Sequence, residues 1–359
     1  MGAVTVIAEA GVNHNGRLDL ALALVDAAAD AGADIVKFQT FRADQLVTPS
    51  ASKADYQIRN TGEANSQLEM LKALELDEAA HRRLIAHCQT RGVAFLSTPF
   101  DFVSLDLLTN HLGLKQLKVG SGDLTNAPIL LEMGRRGAAV ILSTGMANMD
   151  EIAESLGVLA YGYLGGNQPA RAAFRAAFAS AEGQAALRSN VTLLHCTSDY
   201  PAVPEEINLK AVDTLAQAFK LPVGFSDHSE GIAIAIAAVG RGAVMIEKHL
   251  TLDRSMAGPD HVASIEPGDF KAMVSGIRLV ERALGDGRKV PMPSELKTMP
   301  IARKSLVARA PIKRGERFSA DTLTVKRPGS GMSPVLYWEY IGRPATRDYQ
   351  AEDVISEPV

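Results

Sequence analysis

Two histidines, His228 and His249, each stand just past a short apolar run, PVGFS at 222–226 and AVMIE at 243–247, and an Ala- and Ile-rich segment separates them. In a strand–helix–strand unit both imidazoles emerge at the same edge of a parallel sheet, where α/β enzymes place their chemistry. Two neutral imidazoles side by side, with Asp227, Glu247 and Asp260 nearby, suit a divalent metal ion. On their own they are equally compatible with two satisfied polar residues in surface loops. The rest of the chain has to decide.

It repeats the pattern. Apolar or β-branched runs recur at 4–9, 34–39, 93–98, 116–120, 139–144, 191–195, 222–226 and 243–247. Stretches of helical spacing lie between them, at 18–31, 77–90, 149–160, 209–219 and 270–284. Near-continuous apolar strands alternating with helices imply a parallel sheet covered on both faces, and eight such units imply a (β/α)8 TIM barrel. Glu9, Gln39, Thr98, Lys118 with Ser121, Ser143, His195, Ser226 and His249 all sit at or just past a strand's C-terminal end, where a barrel's active site lies.

Two segments fall outside the repeat. Residues 161–190 are Ala- and Arg-rich and predict one extra surface helix, dispensable for chemistry. Residues 286–300 carry three prolines and read as a linker, so the barrel spans 1–285 and a small irregular or β domain spans 301–359.

Bulk properties set limits. Apolar content of 47% and charged content of 22% are those of a globular chain with a substantial core, and a net charge of −4 gives no case for nucleic acid. The longest apolar run, 232–239, is too short to cross a bilayer, and no basic leader precedes the first strand. Cys88 and Cys196 are too few and too scattered for a disulfide framework, which fits a cytoplasmic setting.

Several strings together closely resemble the sialic (nonulosonic) acid synthase family. They include AEAGVNHNG (8–16), VKFQTF (36–41), YQIRNTGEANSQLEM (56–70), FLSTPFD (95–101), LKVGSGD (117–123), ILSTGM (141–146), LLHCTSDYP (193–201), FSDHS (225–229), IEKHLTLD (246–253), GPDH (258–261) and KRPGSGMSP (326–334). The resemblance implies a TIM barrel followed by a domain resembling type III antifreeze protein (a SAF domain). The implied activity condenses phosphoenolpyruvate with an N-acylated amino sugar to give a nine-carbon 2-keto sugar acid and phosphate. It also implies a divalent ion, Mn²⁺ with Mg²⁺ or Co²⁺ as alternatives, and a homodimer in which the small domain of one chain caps the partner's barrel. The acceptor is N-acetylmannosamine or, alternatively, 2,4-diacetamido-2,4,6-trideoxymannose, the precursor of diacetyllegionaminate.

The family pattern assigns Lys37, Lys118, Thr98, Ser121, Ser143 and Ser226 to phosphoenolpyruvate, whose phosphate and carboxylate need cations and neutral donors. A lysine inside an apolar run such as DIVKFQ must have a partner, because an unpaired buried charge is costly. Ser198 stands where some members carry an amide. His228 and His249 are the implied metal ligands. Glu9, Gln39, Asp123, Tyr200 and Asp260 are placed around the sugar, with Arg327 near its N-acyl group. Asp123 stands where Glu is frequent, and together with Tyr200 and the 56–70 segment it is expected to choose the acceptor. Glu9 and Asp260 are candidates for moving protons. His14 either braces its loop or acts directly; His81, His87 and His111 read as structural, His195 as a supporting partner and His261 as either. Two rival readings are a Schiff-base aldolase using Lys37, Lys118 or Lys248, and a noncatalytic sugar- or ice-binding protein.

Overall fold

The computed structural model describes residues 2–62 and 66–356. Of the 56–70 segment, residues 63–65 and the Tyr56 side chain therefore lie outside the described residues. The chain divides into two compact units, Met1–Gly285 and Asp286–Val359.

The first unit holds eight strands: β1 (Thr5–Gly11), β2 (Ile35–Thr40), β3 (Ala94–Pro99), β4 (Gln116–Val119), β5 (Ala139–Ser143), β6 (Val191–His195), β7 (Val223–Asp227) and β8 (Met245–His249). They pair in parallel in the order β3-β2-β1-β8-β7-β6-β5-β4, and the two ends, β3 and β4, lie against each other to bring the sheet round into a (β/α)8 barrel. Successive side chains point to opposite faces of a strand, so every second residue faces the barrel axis. Ile7, Ile35, Leu96, Ile141, Leu194 and Met245 form one buried cluster. Two residues further along their strands stand Glu9, Lys37, Thr98, Ser143 and Glu247, on the same face and nearer the C-terminal rim. The alternate residues face outward into two large apolar clusters under the helices, one holding Ala8, Val36 and Phe38, the other Leu117, Val119 and Leu142.

Helices begin where the sequence offers caps. The Asp77 carboxylate accepts a bond from the Ala80 amide and starts Glu78–Arg91, which Gly92 ends in a left-handed conformation. Asn148 and Glu151 form a reciprocal capping box that opens Met149–Tyr163.

The 161–190 segment departs from expectation. It is two helices, Arg171–Ala179 and Ala181–Asn190, divided at Ser180, whose hydroxyl caps the second by accepting from the Gly183 amide. Ala177 and Leu187 are buried in the second large cluster, and Phe178 packs edge-on against Phe219. The segment is a surface pair of helices anchored to the outer core through these few residues.

The second unit pairs β9 (Ser305–Ala308) antiparallel with β10 (Leu323–Lys326) around Leu306, Ile312, Phe318, Leu323 and Tyr349. The expected linker 286–300 belongs to this unit and is not bare chain. Short helices at Pro293–Leu296 and Met299–Ala302 each carry a proline in the first turn, where its missing N–H costs nothing, and the Gly329 amide donates to the Pro300 carbonyl at 2.7 Å. No helix among the described residues is long and apolar enough to cross a membrane.

Candidate active site

The strand C-termini open into a cavity of about 420 Å³. Glu9, Lys37, Gln39, Thr98, Lys118, Ser143 and Ser226 line it from the strands. Ser121, Ser198, Tyr200 and Asp260 line it from the following loops, and His228 and His249 complete the set. Glu247, which the sequence places near the histidines without a role of its own, stands between the cations.

Lys37 Nζ lies 3.0 Å from Glu9 Oε2 and 3.5 Å from Glu247 Oε2, and Lys118 Nζ lies 3.9 Å from Glu247 Oε1. Ser226 Oγ donates to Glu247 Oε1 at 2.8 Å, and Gln39 Nε2 donates to Glu9 Oε1 at 3.2 Å. All of these carboxylates and ammoniums are buried, so each charge depends on its neighbours. Burial opposes ionisation of Glu247, but Lys118 and Lys37 outweigh it and hold the carboxyl at about 2. Glu9 goes the other way: burial, reinforced by the Glu247 charge, raises it despite Lys37. Burial likewise opposes the charge of Lys37, but Glu247 and Glu9 raise it overall; for Lys118 burial dominates and the ammonium is weakened. The result is a carboxylate shared by two cations that an entering anion would compete to recruit.

Around Lys118 the donors are poised for such an anion. Its ammonium reaches Ser143 Oγ at 2.5 Å and the Val119 carbonyl at 2.9 Å. The Ser121 hydroxyl accepts from the Gly145 amide at 3.0 Å, while Thr98 Oγ1 and Ser198 Oγ are buried with no hydrogen-bond partner. Buried hydroxyls are normally paired, so two orphans beside two lysines mark a place for acceptor oxygens. Gly145 is required there: a Cβ would strike the Ser198 and Ser121 hydroxyls and the Cys196 sulfur. Gly11 plays a similar part at the β1 irregularity, where its positive φ of 52° bends the strand beside Glu9.

The imidazoles of His228 and His249 stand with ring centroids 5.6 Å apart, and the Tyr200 ring lies 4.2 Å from the first and 5.8 Å from the second. His228 Nδ1–H donates to the Thr197 carbonyl at 2.7 Å, which leaves Nε2 as the bare nitrogen of the neutral ring. His249 Nδ1 is buried with no partner. Burial pushes both pKa values down, His249 well below the ordinary value with the neighbouring His228 adding to the effect, so both rings are neutral. Neutral imidazoles, with His249 Nδ1 unpartnered and His228 Nε2 in a long contact of 3.4 Å with Ser226 Oγ, fit a divalent ion that keeps its other positions for water or substrate. Among the described residues no cluster of three or more His, Cys, Asp or Glu could hold one. Asp227 is not available to such an ion: its carboxylate faces away from the cavity, bonded to Lys248 Nζ at 2.8 Å and to the Ser229 amide and hydroxyl. That same pair removes Lys248 as a Schiff-base lysine.

Asp260 is buried against the site, and burial, with the Glu9 charge, raises its carboxyl to about 7. Its loop is braced from β1. Asn13 Nδ2 donates to Ser264 Oγ at 2.8 Å and to the Leu250 carbonyl at 2.9 Å, and Ser264 Oγ donates to the Asp260 carbonyl at 2.7 Å. Asn15 and Thr251 bond to His261, which holds it outside the cavity lining. His14 is buried below the loop, accepts from the Gly16 amide at Nδ1, and is lowered by burial to about 4; it braces rather than lines. His195 bonds to the Ile207 carbonyl.

One assigned residue of the barrel is absent from the cavity lining. Asp123 ends the short turn Ser121–Asp123; Ser121 and Gly122 face the cavity, while the Asp123 carboxylate accepts from Asn126 at 3.0 Å. That bond caps the turn through Oδ1. Arg327 belongs to the second unit, where its Nε donates to the Ala302 carbonyl at 3.0 Å.

A TIM barrel whose rim joins two buried lysines, orphaned hydroxyls, paired neutral imidazoles and two carboxyls raised by burial defines an enzyme for a small anionic substrate. The chain belongs to the NeuB family, whose model matches residues 24–289, and a SAF domain matches residues 303–358. It is 49% identical over 98% of both chains to the N,N'-diacetyllegionaminic acid synthase of Campylobacter jejuni. It is 44% identical to the enzyme of the same name from Legionella pneumophila, over 92% of this chain and 86% of that one. The human N-acetylneuraminate-9-phosphate synthase is 32% identical over 98% of this chain and 91% of its own. Among solved structures, the N-acetylneuraminic acid synthetase of Leptospira borgpetersenii, in complex with citrate, superposes with a TM-score of 0.67 at 32% identity, covering 83% of this chain and 90% of that one.

Proposed function

We propose that this chain condenses phosphoenolpyruvate with the open-chain aldehyde of an N-acylated amino sugar, giving a nine-carbon 2-keto sugar acid and inorganic phosphate. One observation carries the reading: Lys37 and Lys118, held in reserve by Glu247, share a cradle of orphaned hydroxyls within the same cavity as His228, His249 and Asp260. The relatives at 49% and 44% identity favour 2,4-diacetamido-2,4,6-trideoxymannose over N-acetylmannosamine as the acceptor.

In this mechanism Lys37, Lys118 and the serine and threonine hydroxyls bind the phosphate and carboxylate of phosphoenolpyruvate and fix its C3 toward the aldehyde. C3 attacks the aldehyde carbon, a C–C bond forms, and the aldehyde oxygen takes a proton. Water then adds to the resulting cation at C2, losing a proton, and the C2–O bond to phosphate breaks as the ketone forms. Glu9 and Asp260 are the groups that give and take these protons: burial raises both carboxyls above their ordinary values, Asp260 to about 7. A divalent ion, Mn²⁺ or in its place Mg²⁺ or Co²⁺, would be held by His228 and His249 and supply Lewis-acid polarisation of the aldehyde.

Two further parts of the proposal rest on the family resemblance. The first is a homodimer in which Arg327 of one chain completes the sugar site of its partner. The second is a cytoplasmic setting, which the two free cysteines Cys88 and Cys196 also fit. The mechanism is tested with phosphoenolpyruvate carrying ¹⁸O in the bridging position. C–O cleavage sends the label into phosphate; label retained in the sugar acid would require P–O cleavage and overturn the sequence of steps.

A further inference from the structure

The strand ends give the cavity its charge, but one part of its lining is hydrocarbon. Val12, Phe41, Met70 and Leu74 are buried together in a small cluster, and Leu46, Leu71 and Phe100 pack against it. All of them also line the cavity. The cluster is distinct from those that hold the barrel together, and it is built by segments following β1, β2 and β3. Most of it comes from the long connection between β2 and the helix Glu78–Arg91, where a βα connection ordinarily needs about 2–6 residues. Three short helices, Ala43–Leu46, Asp55–Thr61 and Gln67–Lys72, occupy that connection.

Gln67, Met70 and Leu71 follow one another at the i, i+3, i+4 spacing of a single helical face, which lines the cavity together with Leu74 in the turn that follows. The Gln67 amide makes no hydrogen bond among the described residues. Gln57, also on the lining, uses its carbonyl to accept from the Ala54 amide at 3.0 Å and keeps its NH₂ as a donor.

Such a surface discriminates by what it cannot do. A sugar hydroxyl pressed on Met70 or Leu71 loses its water and gains no partner, whereas a methyl group gains contact. An acetamido group presents a methyl for the wall and a carbonyl and N–H for a glutamine amide. We propose that this helical face is the acceptor-selecting surface, with Met70 and Leu71 seating the C6 methyl and an acetamido methyl of a 2,4-diacetamido-2,4,6-trideoxyhexose and Gln67 pairing with the acetamido amide. The proposal rests on the synthase reading above and deepens it by naming the specificity-determining residues.

The test compares kcat/KM for 2,4-diacetamido-2,4,6-trideoxymannose and for N-acetylmannosamine, with phosphoenolpyruvate and Mn²⁺, in the wild type and in Met70→Gln, Leu71→Asn and Gln67→Ala. The ratio of the two values falls at least about tenfold in Met70→Gln and Leu71→Asn, the size of a misplaced methyl or hydroxyl in a specificity pocket. In Gln67→Ala the KM for the diacetamido sugar rises while kcat stays within about threefold, as expected for a lost ground-state contact. Parallel losses with both acceptors, or an unmoved ratio, in variants that keep the wild-type Tm would overturn the proposal. Should Met70→Gln fail to fold, the two partly exposed positions, Leu71 and Gln67, decide. A wild type that uses N-acetylmannosamine but not the diacetamido sugar keeps the synthase reading and refutes the wall's role; phosphate release with neither acceptor refutes both.

Discussion

At the scale of single residues, the site works by setting the charge of neighbouring groups apart. Glu247 is ionised between two lysines, Asp260 is balanced near neutrality, and the two imidazoles are kept neutral and therefore able to bind metal. His228→Ala and His249→Ala should each lower turnover by orders of magnitude, since removing a Lewis acid forfeits several kcal/mol of transition-state stabilisation, about tenfold per 1.4 kcal/mol. Electron paramagnetic resonance of added Mn²⁺ checks this independently of turnover: the wild type should bind the ion and both variants should lose it with Tm little changed. Asp260 makes a second prediction. Its folded pKa of about 7 lies above the ordinary value of 3.8, so the folded protein binds the extra proton, and the associated stability is lost as pH rises from about 4 through 7. Asp260→Asn has no such loss. Its Tm should exceed that of the wild type at pH 8 and the advantage should vanish toward pH 4, the full effect being at most on the order of 4 kcal/mol. A pH-independent difference would show that the carboxyl is not held protonated by burial.

At the scale of elements, strand parity made most of the site legible. Lys37 inside DIVKFQ and Lys118 inside QLKVG had to face a buried partner, and every strand end supplied a polar residue. Glu247 was legible as a polar strand end near the histidines, and it shares parity with His249, but its role was not, because its partners Lys37 and Lys118 stand on other strands. Asp123 was misplaced because a single turn, Ser121–Asp123, rotates it away, and strand periodicity says nothing about turns. The wall residues Val12, Phe41 and Met70 carry only a hydrophobic signal, which in sequence cannot separate core from cavity lining. Residues 161–190 were read as one helix for a different reason: no glycine or proline marks the break at Ser180 between the two that form. Leu187 is 1% exposed, and Leu187→Ala should cost about 2–5 kcal/mol and lower Tm while leaving room-temperature turnover close to wild type. An unchanged Tm would show that Leu187 does not anchor the segment.

At the scale of the whole molecule, the barrel supplies the charge and the paired imidazoles, and the proposal assigns the last sugar contact to Arg327 of a partner chain. Glu9→Gln and Arg327→Ala should each be weak or inactive alone. Mixed and allowed to exchange subunits, they should regain activity, because the intact barrel of the Arg327→Ala chain is capped by the partner's arginine. Verified heterodimers without recovered activity would place that contact in cis. The central claim, however, is the condensation itself. It is tested most directly by incubating the protein with Mn²⁺, phosphoenolpyruvate and 2,4-diacetamido-2,4,6-trideoxymannose and following inorganic phosphate. Phosphate should appear only when both substrates are present, match the nine-carbon 2-keto acid formed mole for mole, cease in excess chelator and resume on restoring the ion. Phosphate release that ignores the sugar, or product formed at full rate in excess chelator together with borohydride trapping of a lysine adduct, would contradict the account.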